Sequence, residues 1–344
     1  MTLVIDQASL SDRQDWDRFL ESQPTATFYQ QFGWHDVIAR SFSHGTHMLM
    51  ARDAGMVVGV LPLVLVSSRL FERILCSVPF MNYGGPCAVT DSVAEQLVDA
   101  AIAKSREIDA DYLELRCSQP LTQDLPVSLR KVSMTIPLGP DPEVIWNAFT
   151  SKHRKNVRRA YKNELTVRGG GLELLDEFYW VLERSWRDLG TPLYKPDYFR
   201  VILETFPEAT KIYLCDKSTS PIAAALVGFH NGTAEGMWQG GLPSARALQA
   251  NYVLYWEMIK DISLRGCRAF HLGRSTTESG SEHFKSRWNA ESRQLHWYFY
   301  RPHGGPMPAL NVDNPRYRLA ITVWRRLPLW VTRVLGPPLA RCIP

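Results

Sequence analysis

KIYLCDKSTSPIAAALVGFHNGTAEGMWQGG, residues Lys211–Gly241, reads as three strands joined by two turns. Ile212–Cys215 is a short apolar run, Asp216–Pro221 supplies turn residues, and Ile222–Phe229 is a second apolar run. Asn231-Gly232 then forms a tight turn into Ala234–Gln239. Downstream, Gln249–Leu264 carries Val253, Leu254, Trp256, Ile259 and Ile262 on a helical period and stops at Gly266. Ala269–Leu272 follows as a strand, and a polar loop leads from it to a short helix near Glu282. Roughly 160 residues earlier the same order occurs. His47–Ala51, the turn Asp53–Gly55 and Met56–Val66 form a hairpin, Ser92–Ile108 a helix with Val93, Leu97, Ala100 and Ala101, and Tyr112–Leu115 a strand. Two copies of strands, helix, strand imply an internal duplication of one α/β unit.

Pro137, Pro140 and Pro142 mark a boundary between the copies. The expected organisation is a domain at 1–140, a second at 141–302 and a tail at 303–344. The second opens with a helix from Asp141 to about Glu164, with Asp141 as N-cap and Pro142 at the first helical position. Gly169–Gly171 interrupts the chain before two further helices, about 172–188 and 196–206.

The chain has 344 residues with 39 Lys+Arg and 35 Asp+Glu. Six arginines (Arg316, Arg318, Arg325, Arg326, Arg333 and Arg341) fall after residue 313 with no acidic residue among them, leaving 33 basic and 35 acidic residues before it. The net charge of +4 is therefore a neutral body with a basic tail. Met1–Asp6 lacks the basic-then-apolar order of a secretory signal. The longest weakly polar run, Met56–Val66, falls short of the roughly 20 residues a spanning helix needs. Cys76, Cys87, Cys117, Cys215, Cys267 and Cys342 are dispersed, a pattern of reduced thiols, and the nine histidines lack metal-ligand spacing. A cytoplasmic chain with no metal and no bound cofactor is expected.

Two stretches concentrate chemistry. Ser151–Lys162 places Lys152, Arg154, Lys155, Arg158, Arg159 and Lys162 within one helical segment without an acidic neighbour, while Val157, Ala160 and Tyr161 form a narrow apolar stripe. Such a run is either a solvated helix face or a site for phosphate, whose oxygens a guanidinium fork matches in pairs. His271–Trp288 follows a strand with a Gly/Ser/Thr-rich loop bearing Arg274, Lys285 and Arg287. It is either a site loop at a strand end or a surface loop anchored by Phe284 and Trp288. Phosphate-loop, dinucleotide, zinc-protease and nucleophile-elbow motifs are absent.

The runs S-K-x-R-[KN]-N-[VI]-R-[RK]-A-x-K (Ser151–Lys162) and G-R-S-x-x-x-S-G-x-x-x-F-K-x-x-W (to Trp288) resemble FemAB-type transferases. The match is nearest to the subgroup associated with PEP-CTERM/exosortase and exopolysaccharide loci. Thr27–Trp34 and Gly55–Pro62 also look familial, and the resemblance extends over most of residues 5–300. It implies an α/β (α+β) fold of two tandem GNAT-like domains, each a mixed central sheet flanked by helices. It implies acyl transfer to an amine, best known for aminoacyl groups carried from aminoacyl-tRNA to a peptidoglycan precursor. By this resemblance Lys285 lies near the acyl donor or the developing oxyanion, and Lys152, Arg154, Lys155 and Arg158 hold acceptor phosphates. Tyr83, Arg274 and Trp238 complete the substrate contacts. Two departures stand out: no helical-arm insertion appears between Gly171 and Thr210, and Arg246–Asn251 has no glycine where acetyl-CoA enzymes carry a glycine-rich turn. The donor, aminoacyl-tRNA or acyl-CoA, stays open.

The resulting expectation is an N-acyltransferase acting by direct attack in a ternary complex on a phosphate-bearing cell-envelope or exopolysaccharide precursor. The alternative is a non-catalytic scaffold for anionic sugar intermediates. In the tail, Leu319, Ile321, Val323, Trp324, Leu327, Leu329 and Trp330 alternate with arginines. That pattern is either a C-terminal helix packed on the body or a shallow contact with anionic lipid at the inner face of the membrane.

Overall fold

The computed structural model describes residues 3–67, 72–306 and 315–343, with side chains from 318 onward in the last stretch. Arg316, counted in the basic tail, has its side chain outside the described residues, as do residues 307–314 entirely. Two compact units emerge: 1–132 with 294–309 and 341–344, and 133–293 with 310–340.

The first unit runs β1 (Val4–Gln7), α1 (Arg13–Ser22), α2 (Gly33–Phe42), β2 (Gly45–Asp53), β3 (Met56–Val66), β4 (Ile74–Ser77), β5 (Cys87–Ala88), α3 (Asp91–Glu107), β6 (Tyr112–Cys117) and β7 (Val127–Ser128). The second runs β8 (Lys131–Pro137), α4 (Pro142–Ala148), α5 (Ser151–Tyr161), β9 (Leu165–Gly170), α6 (Leu175–Leu189), α7 (Pro196–Thr205), β10 (Thr210–Lys217), β11 (Ser220–His230) and β12 (Thr233–Gly241). It continues through α8 (Pro243–Ala247), α9 (Ala250–Leu264), β13 (Ala269–Thr276), α10 (Gly280–Ser286) and β14 (Glu291–Gln294). The chain then adds β15 (His296–Tyr300) to the first unit and α11 (Pro315–Trp324) and α12 (Leu329–Ala340) to the second.

Among the described residues the first sheet has the order β1-β2-β3-β4-β6-β15-β7, with β5 beside β3, and the second β14-β8-β13-β12-β11-β10-β9. Both are mixed: β4 with β6 and β12 with β13 run parallel, against antiparallel neighbours such as β2–β3 and β10–β11. The fold is thus α+β, two mixed sheets with flanking helices. Each expected hairpin, helix and strand of the duplicated unit is present.

Three details differ from the sequence reading. The units divide after residue 132, because β8 pairs into the second sheet and β15 into the first. Strand partnership is a long-range property that local prolines do not report. The single helix expected from Asp141 to Glu164 is two. Asp141 does cap α4, accepting from the Glu143 amide, but Phe149 is extended and 2% exposed, and Thr150 caps α5 through the His153 amide. Burying Phe149 beside Trp256 and Trp288 takes the chain out of helix for two residues, Phe149 and Thr150. The strand expected to end at Leu272 continues to Thr276, so Arg274 lies on β13 rather than in a loop.

The first unit's core joins Leu49, Leu61, Leu63, Leu75, Leu97, Leu113 and Leu115. Beside it lies a fully buried ion pair, Arg116 Nε to Glu114 Oε1 at 2.6 Å, each 1% exposed. The guanidinium also donates to the Met81 carbonyl and sits 4.5 Å from the Trp297 ring centre. Removing one member of such a pair strands a charge in a medium that cannot solvate it. Arg116→Met should therefore cost about 3–5 kcal/mol, and Glu114→Leu/Arg116→Met should regain most of that loss. Urea denaturation of the two variants checks this; equal destabilisation by both would contradict it.

Candidate functional site

The parallel pair β12–β13 holds together for only three rungs: Thr233 with Ala269, Ala234 with Phe270, and Glu235 with His271. The strands then separate toward their C-terminal ends. Gly236 sits at the point of separation, where a Cβ would come within 3.1 Å of the His271 carbonyl oxygen. A bulge follows at once, Trp238 opposing Leu226 and Gly236 opposing Val227, so that Met237 is the additional residue. Past the last rung, the facing edges of both strands have no ladder partner in each other. The C-terminal end of a parallel pair is where α/β folds leave room for ligands.

Lys285 is fastened to β13. It projects from α10, is 7% exposed, and its Nζ donates to the carbonyls of Gly273 (3.1 Å) and Arg274 (3.0 Å) on β13. Successive carbonyls of a regular strand point to opposite edges. Gly273, at φ +75°, turns the backbone so that both reach the same ammonium. Burial, with the Arg274 charge adding to it, pushes the Lys285 ammonium down to about 8. An ammonium has three N–H groups, so one remains beyond the two carbonyl bonds.

A cleft of about 450 Å³ opens at the separated end of β12. Its walls are Ser185, Asp188 and Leu189 from α6, Gln239–Leu242 from the strand and the residue after it, and Arg246 and Asn251. Ser185 Oγ accepts from the Gly241 amide at 3.0 Å, and Tyr255 donates its hydroxyl to Gln239 Oε1. Four amides of the segment between β12 and α9 bond within it. The amides of Ala245 and Arg246 bond to the Leu242 carbonyl, that of Leu248 to Ser244, and that of Gln249 to Arg246. A one-turn helix, α8, thus stands where a glycine-rich turn would present free amides to a pyrophosphate.

The basic helix α5 divides its cations between two tasks. Lys152, Lys155, Arg158 and Arg159 are exposed. Arg154 faces back, donating to the carbonyls of Asn147 (2.9 Å) and Phe149 (2.6 Å) at the end of α4. Arg158 lies over the Trp146 ring at 5.4 Å. Inward, His153 is 3% exposed and enclosed by Phe149, Tyr252 and Trp288, its ring centre 4.4 Å from that of Trp288. Neither of its ring nitrogens has a hydrogen-bond partner among the described residues. Burial, then the Arg287 charge, pushes its imidazole down to about 4, and burial does the same to His271.

Of the residues singled out in the sequence, Lys285 and Arg274 meet at the β13 edge. Trp238 is 5% exposed and packs edge-to-face on Tyr198 and Phe199, with the next residue, Gln239, lining the cleft. Tyr83 belongs to the first unit, 2% exposed against Tyr29. Sequence reasoning missed Ser185, Asp188 and Gln239. The Gly240-Gly241 pair after Gln239 was the available signal for a close-packed strand end. Among the described residues no group of three His, Cys, Asp or Glu side chains could hold a metal ion, and no helix is long and apolar enough to cross a membrane.

Residues 151–286 match the family model described as an acetyltransferase (GNAT) domain. The matched segment takes in α5, β12, β13 and Lys285. No curated protein sequence matches the chain. Among solved structures, FemX superposes with a TM-score of 0.65 at 13% identity, over 92% of this chain and 100% of that one. A tandem GNAT protein from the clavulanic acid biosynthesis pathway gives 0.53 at 13% identity, covering 89% and 100%. L-PGS from Bacillus licheniformis gives 0.50 at 14% identity, covering 88% and 96%. The chain therefore has a FemX-like, tandem-GNAT fold.

The two depressed histidines set an acid limit. Between about pH 4 and 6.5 the unfolded chain binds protons that the folded chain refuses, so stability rises with pH through this window and is lost on acidification. Each of these two histidines should account for on the order of 3 kcal/mol. Burial lowers His44, His47 and His296 as well, so His153→Phe, which suits the aromatic enclosure, should reduce but not abolish the slope of unfolding free energy between pH 4 and 6.5 in urea titrations. An unchanged slope would contradict the assignment.

Proposed function

We propose that the chain is an N-acyltransferase that moves an aminoacyl-type group from an activated ester onto an amine of a phosphate-bearing cell-envelope or exopolysaccharide precursor. The separation of β12 and β13 beside the cleft, inside the GNAT-matching segment, carries this reading. The amine nitrogen bonds to the acyl carbon, the carbon–oxygen bond to the carrier breaks, and the departing proton passes to the carrier oxygen directly or through water. Such a transfer relies on orientation and a stabilised oxyanion more than on a side-chain nucleophile. Backbone groups at the separated ends of β12 and β13 serve orientation, and the third N–H of Lys285 is a charged donor at β13. Gln239, Ser185 and Asn251 hold the polar part of the donor in the cleft, with Trp238 supporting Gln239 from behind.

Lys152, Lys155 and Arg158 take the acceptor phosphates, while Arg154 keeps α4 and α5 in register. The acceptor class follows the motif resemblance to the exosortase-associated FemAB subgroup. An ester donor such as aminoacyl-tRNA is favoured over acyl-CoA because the stretch Arg246–Asn251 leading into α9 has no glycine. Purified protein should transfer label from aminoacyl-tRNA, and not from acetyl-CoA, to an amine-bearing, phosphorylated envelope precursor. Transfer from acetyl-CoA alone would overturn the donor assignment. Binding of the precursor with no transfer from either donor would favour the scaffold.

Two variants test the roles. Lys285→Ala should lower kcat more than tenfold with little change in acceptor KM, whereas Arg158→Ala should raise acceptor KM about fivefold or more with kcat nearly kept. Turnover of both at the wild-type rate, measured on protein with an unaltered melting curve, would refute the site.

A further inference from the structure

The C-terminal helices α11 and α12 are fastened to the second unit by specific bonds. Arg333 forms a fork to Glu183, Nε to Oε2 at 2.7 Å and Nη2 to Oε1 at 2.6 Å, and Glu183 is 6% exposed. Arg325 donates to the Leu189 carbonyl, and Arg187 donates to that of Leu327. Trp324, Gly336, Pro337 and Ala340 are buried on this inner side. Packing on the body accounts for only part of the tail's apolar surface. Leu319 (67% exposed) and Val323 (51%) lie one turn apart on α11, and Trp330 (69%) and Val334 (66%) one turn apart on α12. Exposed arginines Arg318, Arg325 and Arg326 stand among them, and no acidic residue occurs from 314 to 344.

We propose that the outward faces of α11 and α12 dock on an anionic lipid surface. Charge selects this occupant. Two copies of the chain meeting through these faces would bring arginines against arginines with no carboxylate between them, whereas a bilayer rich in acidic headgroups offers compensating charge everywhere. Tryptophan and arginine together suit the headgroup layer, where an indole has an apolar body and a polar edge to satisfy and a guanidinium meets phosphate. The apolar side chains enter the acyl boundary while the inner face stays on α6, so docking requires no unfolding of the tail. The contact is peripheral, and it stands independently of the proposed transfer activity.

The test uses the full chain and sedimentation with vesicles of phosphatidylcholine alone or with 30% phosphatidylglycerol, at low and high salt. Binding to the mixed vesicles, weakened by salt and absent from the neutral ones, is expected. Arg318→Ala/Arg326→Ala should weaken partitioning about 30-fold, and Trp330→Ser/Val334→Ser at least tenfold. These side chains are solvent-exposed, so melting curves should stay within a few degrees of wild type. Arg158→Ala on α5 should bind vesicles like wild type. Equal binding to neutral vesicles, undiminished binding by both tail variants, loss of binding in Arg158→Ala alone, or a dimer that Trp330→Ser/Val334→Ser dissolves would each overturn the proposal.

Discussion

The second unit depends on a ladder that stops. Glu235 and His271 form the last rung of β12–β13, and beyond them two parallel strands that would ordinarily satisfy each other's amides and carbonyls do not. Buried backbone groups cannot be left without partners at no cost, so the surroundings are built to serve them. Lys285 answers two carbonyls of β13, Gly273 presents both to it, and the bulge at Met237 redirects β12. The open strand ends lie near the cleft beside Gln239, while burial and the Arg274 charge depress the Lys285 ammonium.

The duplicated α/β unit was legible because each of its parts carries a local signal. Asn231-Gly232 marks a turn, Val253 to Ile262 a helical face, and Tyr112–Leu115 an alternating strand. The partners of those strands were not legible. Nothing near Lys131 or His296 says which sheet each will join, since that is settled by hydrogen bonds to residues well over a hundred positions away. The site divides along the same line. Lys285 and Arg274 stood out by charge and loop composition, whereas Ser185 and Asp188 sit in an unremarkable amphipathic helix and reach the cleft only through tertiary packing.

The basic helix shows why a count of charges misjudges a surface. Of six cations in one segment, Arg154 spends its fork on the open carbonyls of α4 and Arg158 lies on Trp146. Both contacts offset part of the repulsion among the six cations. His153 lies beneath them, neutral by burial, and adds no positive charge of its own at neutral pH. Lys152, Lys155, Arg158, Arg159 and Lys162 remain exposed along the segment, while Arg154 is half-buried.

The chain path has a consequence for how the molecule is made. β15, at His296–Tyr300, pairs with β6 and β7 of the first sheet, though every strand of the second sheet precedes it in the sequence. During synthesis the first sheet must wait, with the β6 edge uncovered, until nearly the whole second unit has left the ribosome. The N-terminal half on its own is therefore an unfinished sheet with an adhesive edge.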